Sequence, residues 1–172
     1  MRRHIVLVGL PGAGKSTIGK MVAERLQATF VDVDSVIVRR EGKPITLIFA
    51  EQGEPAFRTI ERAEVEAALS GDAAIIAPGG GWAAQPGALD TARGRAFVVY
   101  LKTRPETATE RAVPEGNRPT LMGEDPLGRM KTLLEEREAS YRQADAVVET
   151  DRHTADQVTA ELLRLAETQA GW

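Results

Sequence analysis

Five short stretches of the chain are apolar at almost every position: residues 5–8, 30–33, 74–77, 96–101 and 146–148. Because they do not alternate with polar positions, they predict strands covered on both faces, as in a parallel sheet between helices. The longer charged stretches between them carry apolar residues at helical spacing. Lys15–Leu26 places Ile18, Val22 and Leu26 on one face, and Glu54–Leu69 carries Phe57, Ile60, Val65 and Leu69. Residues 126–142 and 154–168 complete the predicted helices, the last with Val158, Leu162 and Leu165 as its inner stripe. The order strand–helix–strand therefore predicts an α/β fold with a five-stranded parallel sheet and helices on both faces. Two segments break the pattern. Residues 35–61 place helical material between the second and third strands, and V-P-E-G-N-R-P-T-L-M-G-E-D at 113–125 has the composition of an exposed loop.

The first strand runs directly into Gly9-Leu10-Pro11-Gly12-Ala13-Gly14-Lys15-Ser16, which fits G-x-x-x-x-G-K-[ST] and opens the first predicted helix. That strand–loop–helix setting is what a phosphate-binding loop requires. Glycines let the backbone turn its N–H groups toward phosphate oxygens, and the helix adds its positive end. In such a loop Lys15 reaches the β- and γ-phosphates and the Ser16 hydroxyl ligates Mg²⁺. This predicts nucleoside triphosphate binding. The chain has no N-K-x-D guanine-reading element, and its 172 residues suit a small-molecule or nucleotide kinase better than a motor ATPase.

Further candidates sit where ligands bind in open α/β sheets, beyond the carboxyl ends of strands. Asp32 and Asp34 are two residues apart at the end of the second strand, so strand alternation predicts that both face the same side. One then organises hydrated Mg²⁺ while the other accepts a hydrogen bond from a hydroxyl nucleophile. Asp34 equally suits a cap on a helix starting near Ser35. Arg58 and Glu61 lie at i, i+3, so the acid can hold a guanidinium fork that fits a carboxylate, or the two form a solvated surface pair. Gly79-Gly80-Gly81 follow the third strand and either bring backbone donors close to a ligand or make a flexible turn. Trp82 covers that ligand or plugs the core, the core being the simpler expectation. Arg118, in N-R-P-T-L, and Arg137, four residues before Tyr141, are ordinary charges on spacing alone.

Composition narrows the field. At roughly 150 residues per domain the length predicts one domain over residues 1–172. A net charge of −3 argues against a general nucleic-acid-binding surface. No cysteines leave no disulfide, thiolate zinc site or thiol nucleophile, and two histidines, His4 and His153, are too few for a histidine metal site. No apolar run has the length of a membrane span. The opening M-R-R-H-I-V-L-V-G-L-P-G starts like a signal peptide but meets glycine and proline too soon, and it reads as a strand.

Taken together, the phosphate loop, F-V-D-V-D, I-T-L-I-F-A-E-Q-G-E-P-A-F-R-T-I-E, P-G-G-G, N-R-P-T-L and L-L-E-E-R-E-A-S-Y resemble shikimate kinase over nearly the whole chain. G-E-x-x-F-R-x-x-E followed by G-G-G is the specific part. The resemblance implies a nucleoside-monophosphate-kinase-like P-loop fold, an acceptor-binding segment at about residues 33–61 and a lid at about residues 112–124. It implies transfer of the ATP γ-phosphate to the 3-hydroxyl of shikimate, on the route to chorismate and the aromatic amino acids. Carried over residue by residue, it makes Asp34 the base and a ligand of the acceptor hydroxyls. Arg58 and Arg137 bind the carboxylate, Gly80 and Gly81 add backbone contacts, Glu61 orients Arg58, and Phe49 and Phe57 wall the pocket. Lys15 and Arg118 stabilise the transferring phosphoryl group. Gly12, Ala13, Gly14, Lys15, Ser16, Thr17, Arg111, Arg118 and Arg152 make the ATP site, with Arg111 against adenine. Ser16 holds Mg²⁺, with Asp32 acting through water.

The sequence departs from the family pattern at Trp82 after the third glycine, at Thr120 in R-P-T-L, and in T-D-R-H-T-A, which lacks a proline found in some members. These changes bear on acceptor choice, the lid and the second wall of the adenine site. The competing expectations are another polyhydroxy-acid kinase, such as a gluconate kinase, and a P-loop ATP-binding regulator without turnover. The expected protein is a cytoplasmic monomer with no nucleic-acid or membrane partner, and its tail at 166–172 is expected to fray.

Overall fold

The structure, a computed structural model, describes residues 1–115 and 123–172. Five strands, β1 (His4–Val8), β2 (Phe30–Asp32), β3 (Ile75–Ala77), β4 (Ala96–Lys102) and β5 (Ala146–Glu149), form one sheet in the order β2-β3-β1-β4-β5. Every neighbouring pair is parallel. The helices are α1 (Lys15–Leu26), α2 (Val33–Glu41), α3 (Ile45–Gln52), α4 (Glu54–Leu69), α5 (Ala88–Ala92), α6 (Pro105–Ala112), α7 (Pro126–Tyr141) and α8 (Ala155–Gln169).

The continuous apolar strands are explained by two cores on opposite faces of the sheet. Along β1, Ile5 and Leu7 join the core with Ile18, Val22 and Leu162 of α1 and α8. Val6 and Val8 join the other core, with Ile37, Ile48, Val65, Met130 and Leu133 from α2, α3, α4 and α7. β4 repeats the alternation, with Phe97, Val99 and Leu101 on the α1/α8 side and Val98 and Tyr100 on the other. Trp82 is 1% exposed and lies in the second of these cores, so it fills space rather than covering a ligand.

Helix ends follow local chemistry. Thr154 accepts from the Gln157 N–H while Gln157 reaches back to the Thr154 N–H, a reciprocal cap that starts α8. Asp125 caps α7 through the Gly128 N–H, and Pro126 starts that helix with φ already set. His4, buried at the start of β1, accepts from the Ala74 N–H through Nδ1, so its Nε2 donates to the Leu69 carbonyl. This imidazole ties β1 to the end of α4 and the approach to β3, a role that a lone histidine does not advertise in sequence.

Two expectations change. β2 ends at Asp32, one residue early, because Val33 already belongs to α2. The tail is anchored rather than frayed: the Trp172 indole donates to the Arg3 carbonyl, its ring packs under the Arg2 guanidinium, and Ala170 is buried. Among the described residues no helix is long and apolar enough to cross a membrane.

Candidate active site

Two hydrogen-bonded neighbours, β1 and β3, end side by side and release the phosphate loop and the glycine turn into one cleft. Lys15 leans back over its own loop, donating to the Gly9 carbonyl at 2.7 Å and the Leu10 carbonyl at 2.9 Å. Gly12 has φ +80°, and a Cβ there would strike the Ala108 carbonyl, so the loop lies directly on α6. Only glycine satisfies both conditions.

Ser16 donates to the Asp32 carboxylate at 2.9 Å, joining the phosphate loop to the end of β2. The other Asp32 oxygen accepts from the Ser35 N–H, so Asp32, not Asp34, caps α2. Both aspartates line the cleft, but not by strand alternation, because Asp34 stands in the first turn of α2. Among the described residues no group of three or more His, Asp or Glu is gathered to hold a metal. Ser16 and Asp32 together offer hard oxygen donors, which suits an ion that keeps waters and shares its shell with phosphate.

The other wall of the cleft is built from charges placed inside apolar stripes. Phe57, Glu61, Val65 and Leu69 recur every four residues along the buried face of α4, so Glu61 occupies a core position and is 0% exposed. Met130, Leu133, Arg137 and Tyr141 form the equivalent stripe on α7, burying Arg137. Arg58 donates to Glu61 at 2.8 Å and to Glu54 at 3.1 Å, while the second Glu61 oxygen accepts from the Gly79 N–H. Burial pushes the Glu61 carboxyl above its ordinary range, Arg58 pulls it back, and Asp34 pushes it up again. Arg58 also lies over the Phe57 ring, which meets Phe49 at 4.9 Å between centroids.

The three glycines serve these side chains as well as any ligand. A Cβ on Gly79 would strike Glu61, one on Gly80 would crowd Arg137 and Pro11, and one on Gly81 would strike the Arg58 guanidinium. The turn is glycine because charged groups occupy the space next to it.

The cleft thus gathers Lys15, Ser16, Asp32, Asp34, Phe49, Phe57, Arg58, Glu61, Gly80, Gly81 and Arg137. A second cleft is lined by Ala13, Gly14, Thr17 and Arg111 together with Thr150, His153, Ala155 and Val158. The sequence reading set T-D-R-H-T-A beside the second wall of the adenine site without naming the residues that form it; Thr150, His153 and Ala155 of that segment, with Val158, line this cleft. Arg152 is elsewhere, in a left-handed turn lining a groove with Tyr100, Lys102 and Glu138. Arg118, Thr120 and most of the expected lid at 112–124 lie outside the described residues. Glu54, the second partner of Arg58, was missed, although its i, i+4 spacing was available.

Comparison with known proteins gives one answer at every level. The family model described as shikimate kinase matches residues 11–167. The shikimate kinase of Symbiobacterium thermophilum is 41% identical over 163 residues, covering 93% of this chain and 94% of that protein. That of Thermus thermophilus is 40% identical over 160 residues, covering 92% and 87%. Among solved structures, shikimate kinase from Acinetobacter baumannii in complex with shikimate superposes with a TM-score of 0.92 at 36% identity, covering 96% of this chain and 93% of that one. A gluconokinase from Sinorhizobium meliloti 1021 shares the fold at a TM-score of 0.64 and 21% identity, covering 96% and 94%.

Proposed function

This chain belongs to the shikimate kinase family; it is an ATP-dependent kinase that phosphorylates shikimate, and we propose that its two clefts divide the reaction between them. The cleft between Arg111 and the 150–158 wall takes adenine and ribose, with Gly12, Ala13, Gly14, Thr17 and Lys15 running the triphosphate toward the cleft that holds Asp34 and Arg58. There Arg58 and Arg137 receive the shikimate carboxylate, Gly80 and Gly81 add backbone contacts, and Phe49 and Phe57 flank the ring. Asp34 accepts a hydrogen bond from the 3-hydroxyl. That oxygen attacks the γ-phosphorus, its proton passes to the Asp34 carboxylate, and the bond to the β-phosphate oxygen breaks to release ADP.

Phosphoryl transfer of this kind needs position and charge neutralisation rather than covalent help. Lys15 supplies a cation at the phosphate loop, and we assign a second to Arg118 on the segment between α6 and α7. Ser16, with Asp32 through water, would hold Mg²⁺, which neutralises β- and γ-phosphate charge when bound. Arg152 has no described contact with the nucleotide cleft, and its assignment to ATP rests on the resemblance alone. Residues 33–61 act as the acceptor-binding segment and 112–124 as the lid. We further propose that the enzyme acts as a monomer in the cytoplasm, where ATP is available.

The observation that carries this reading is the pair of buried guanidinium groups set against adjacent glycines, beside Asp34 and facing the phosphate loop. Such a site rejects acceptors without an acid, because its charges would be left desolvated and unpaired. ADP release should be measured with ATP and Mg²⁺ across shikimate, quinate, gluconate and nucleoside monophosphates. Shikimate should stand well above the rest. Gluconate on top would make the chain a different polyhydroxy-acid kinase, and a flat panel would make it an ATP-binding regulator.

A further inference from the structure

The last residue of α7, Tyr141, is 0% exposed and does not line the acceptor cleft, yet its hydroxyl donates to the Gly80 carbonyl at 2.5 Å. That carbonyl and the Gly81 N–H belong to one peptide unit. No peptide bond among the described residues is cis, so the two groups point in opposite directions. Holding the carbonyl against Tyr141 therefore directs the Gly81 N–H away from Tyr141, on the stretch of backbone that lines the cleft. The turn's other peptide planes are held in the same manner. The Gly79 N–H is bound by Glu61, and the Gly79 carbonyl accepts from the Trp82 N–H at 3.1 Å.

Tyr141 is well placed to act as a fixed anchor. Its ring packs against Tyr100 with centroids 5.0 Å apart, and both rings belong to the core. Burial pushes the phenol above its ordinary range while Arg137 pulls the other way, so the group remains an O–H donor. Arg137 is one turn earlier on the same buried stripe, so one helix end sets both a guanidinium and a glycine peptide.

We propose that Tyr141 is a positioning residue for acceptor recognition, fixing the 80–81 peptide so that the Gly81 N–H and the Arg137 guanidinium present one preformed donor set to the acceptor's acid group. This rests on the reading that the glycine turn and Arg137 bind the acceptor. A hydroxyl that only held α7 in place would contribute to stability and leave substrate affinities alone.

The decisive variant is Tyr141→Phe, which keeps the ring stack and removes the hydroxyl that holds the Gly80 carbonyl and also hydrogen-bonds Arg137, the two groups of the proposed donor set. The KM for shikimate should rise about fivefold or more, the scale of one buried hydrogen bond lost. The KM for ATP and kcat should each stay close to wild type. A shikimate KM within twofold of wild type in the folded variant overturns the proposal, and so does an equal rise in both KM values. If the variant does not fold, the wild-type chain still gives the answer. It has two tyrosines, so 3-fluorotyrosine labelling gives two ¹⁹F lines, assigned with Tyr100→Phe. Saturating shikimate should move the Tyr141 line more than the Tyr100 line, and an unmoved Tyr141 line overturns the proposal. Arg137→Ala separates the two levels. If it leaves the shikimate KM unchanged, the acceptor-site reading has failed; if it raises that KM while Tyr141→Phe does not, only the role of Tyr141 has.

Discussion

The nucleotide and acceptor halves of the cleft are built on different physical principles. The phosphate loop is eight consecutive residues whose job is done by backbone, with Gly12 in a left-handed turn pressed on α6 and Lys15 bonded to its own loop carbonyls. The acceptor side draws on α2, α4, α7 and the turn after β3, and it works through charges held out of water. Backbone geometry is local and tolerates different neighbours. Desolvated charges depend on every partner being present, because an unpaired one is costly. Damage to the donor half should therefore leave shikimate affinity intact, whereas the acceptor half should lose shikimate binding and stability together.

The largest effect separates chemistry from both. Asp34→Asn should lower kcat by about 10²–10⁴-fold, the range for loss of a general base, with both KM values little changed. A loss below tenfold in steady-state turnover would reduce Asp34 to a residue of the α2 first turn. Arg58→Ala and Arg137→Ala should each weaken shikimate binding by about 2–5 kcal/mol, read by calorimetry, with ATP affinity nearly constant. Retention of wild-type affinity by either would break the contrast at its centre.

Glu61→Gln keeps the shape but removes the charge facing Arg58. Urea denaturation should show a loss of about 2 kcal/mol, accompanied by a higher shikimate KM. Gly12→Ala should cost about 1–2 kcal/mol from its left-handed backbone alone and raise the KM for ATP while leaving shikimate affinity intact. An equal effect on both substrates would show that the two halves are not separable. The smallest effect belongs to a pair with the same chemistry and a different setting. Arg95 bonds Glu66 through two nitrogens at 2.9 and 2.8 Å, but both side chains are largely in solvent. Arg95→Ala should cost less than about 1 kcal/mol in denaturation and change no kinetic constant.

The same contrast explains what could be read from the chain alone. The phosphate loop was legible because its parts are contiguous, and the five strands because two apolar faces leave a continuous signature. Glu61 was legible as the i, i+3 partner of Arg58, whereas its core position between Phe57 and Val65 emerges only in the structure, the sequence having placed Ile60 on that face. The placement of Asp34 was right about the cleft and wrong about the cause, since one more strand residue was assumed and Asp32 took the capping role. Thr150, His153 and Ala155 lie in T-D-R-H-T-A, which the sequence set near the adenine site without giving any of them a role; they line the second cleft because β5 is laid beside β4 by long-range pairing. The glycines were read as access for a ligand. Their second reason, room for three charged side chains, exists only once α4 and α7 have packed.

The adjacency of β1 and β3 sets how far the phosphoryl group must travel. The phosphate loop and the glycine turn, the proposed seats of donor and acceptor, leave the sheet from strands joined by a single ladder of backbone hydrogen bonds. Strands in such a ladder lie about 4.8 Å apart whatever side chains they carry. The reach between the two substrates is thus inherited from a constant of peptide geometry, and drift in surrounding side chains can retune selectivity without stretching the reaction coordinate.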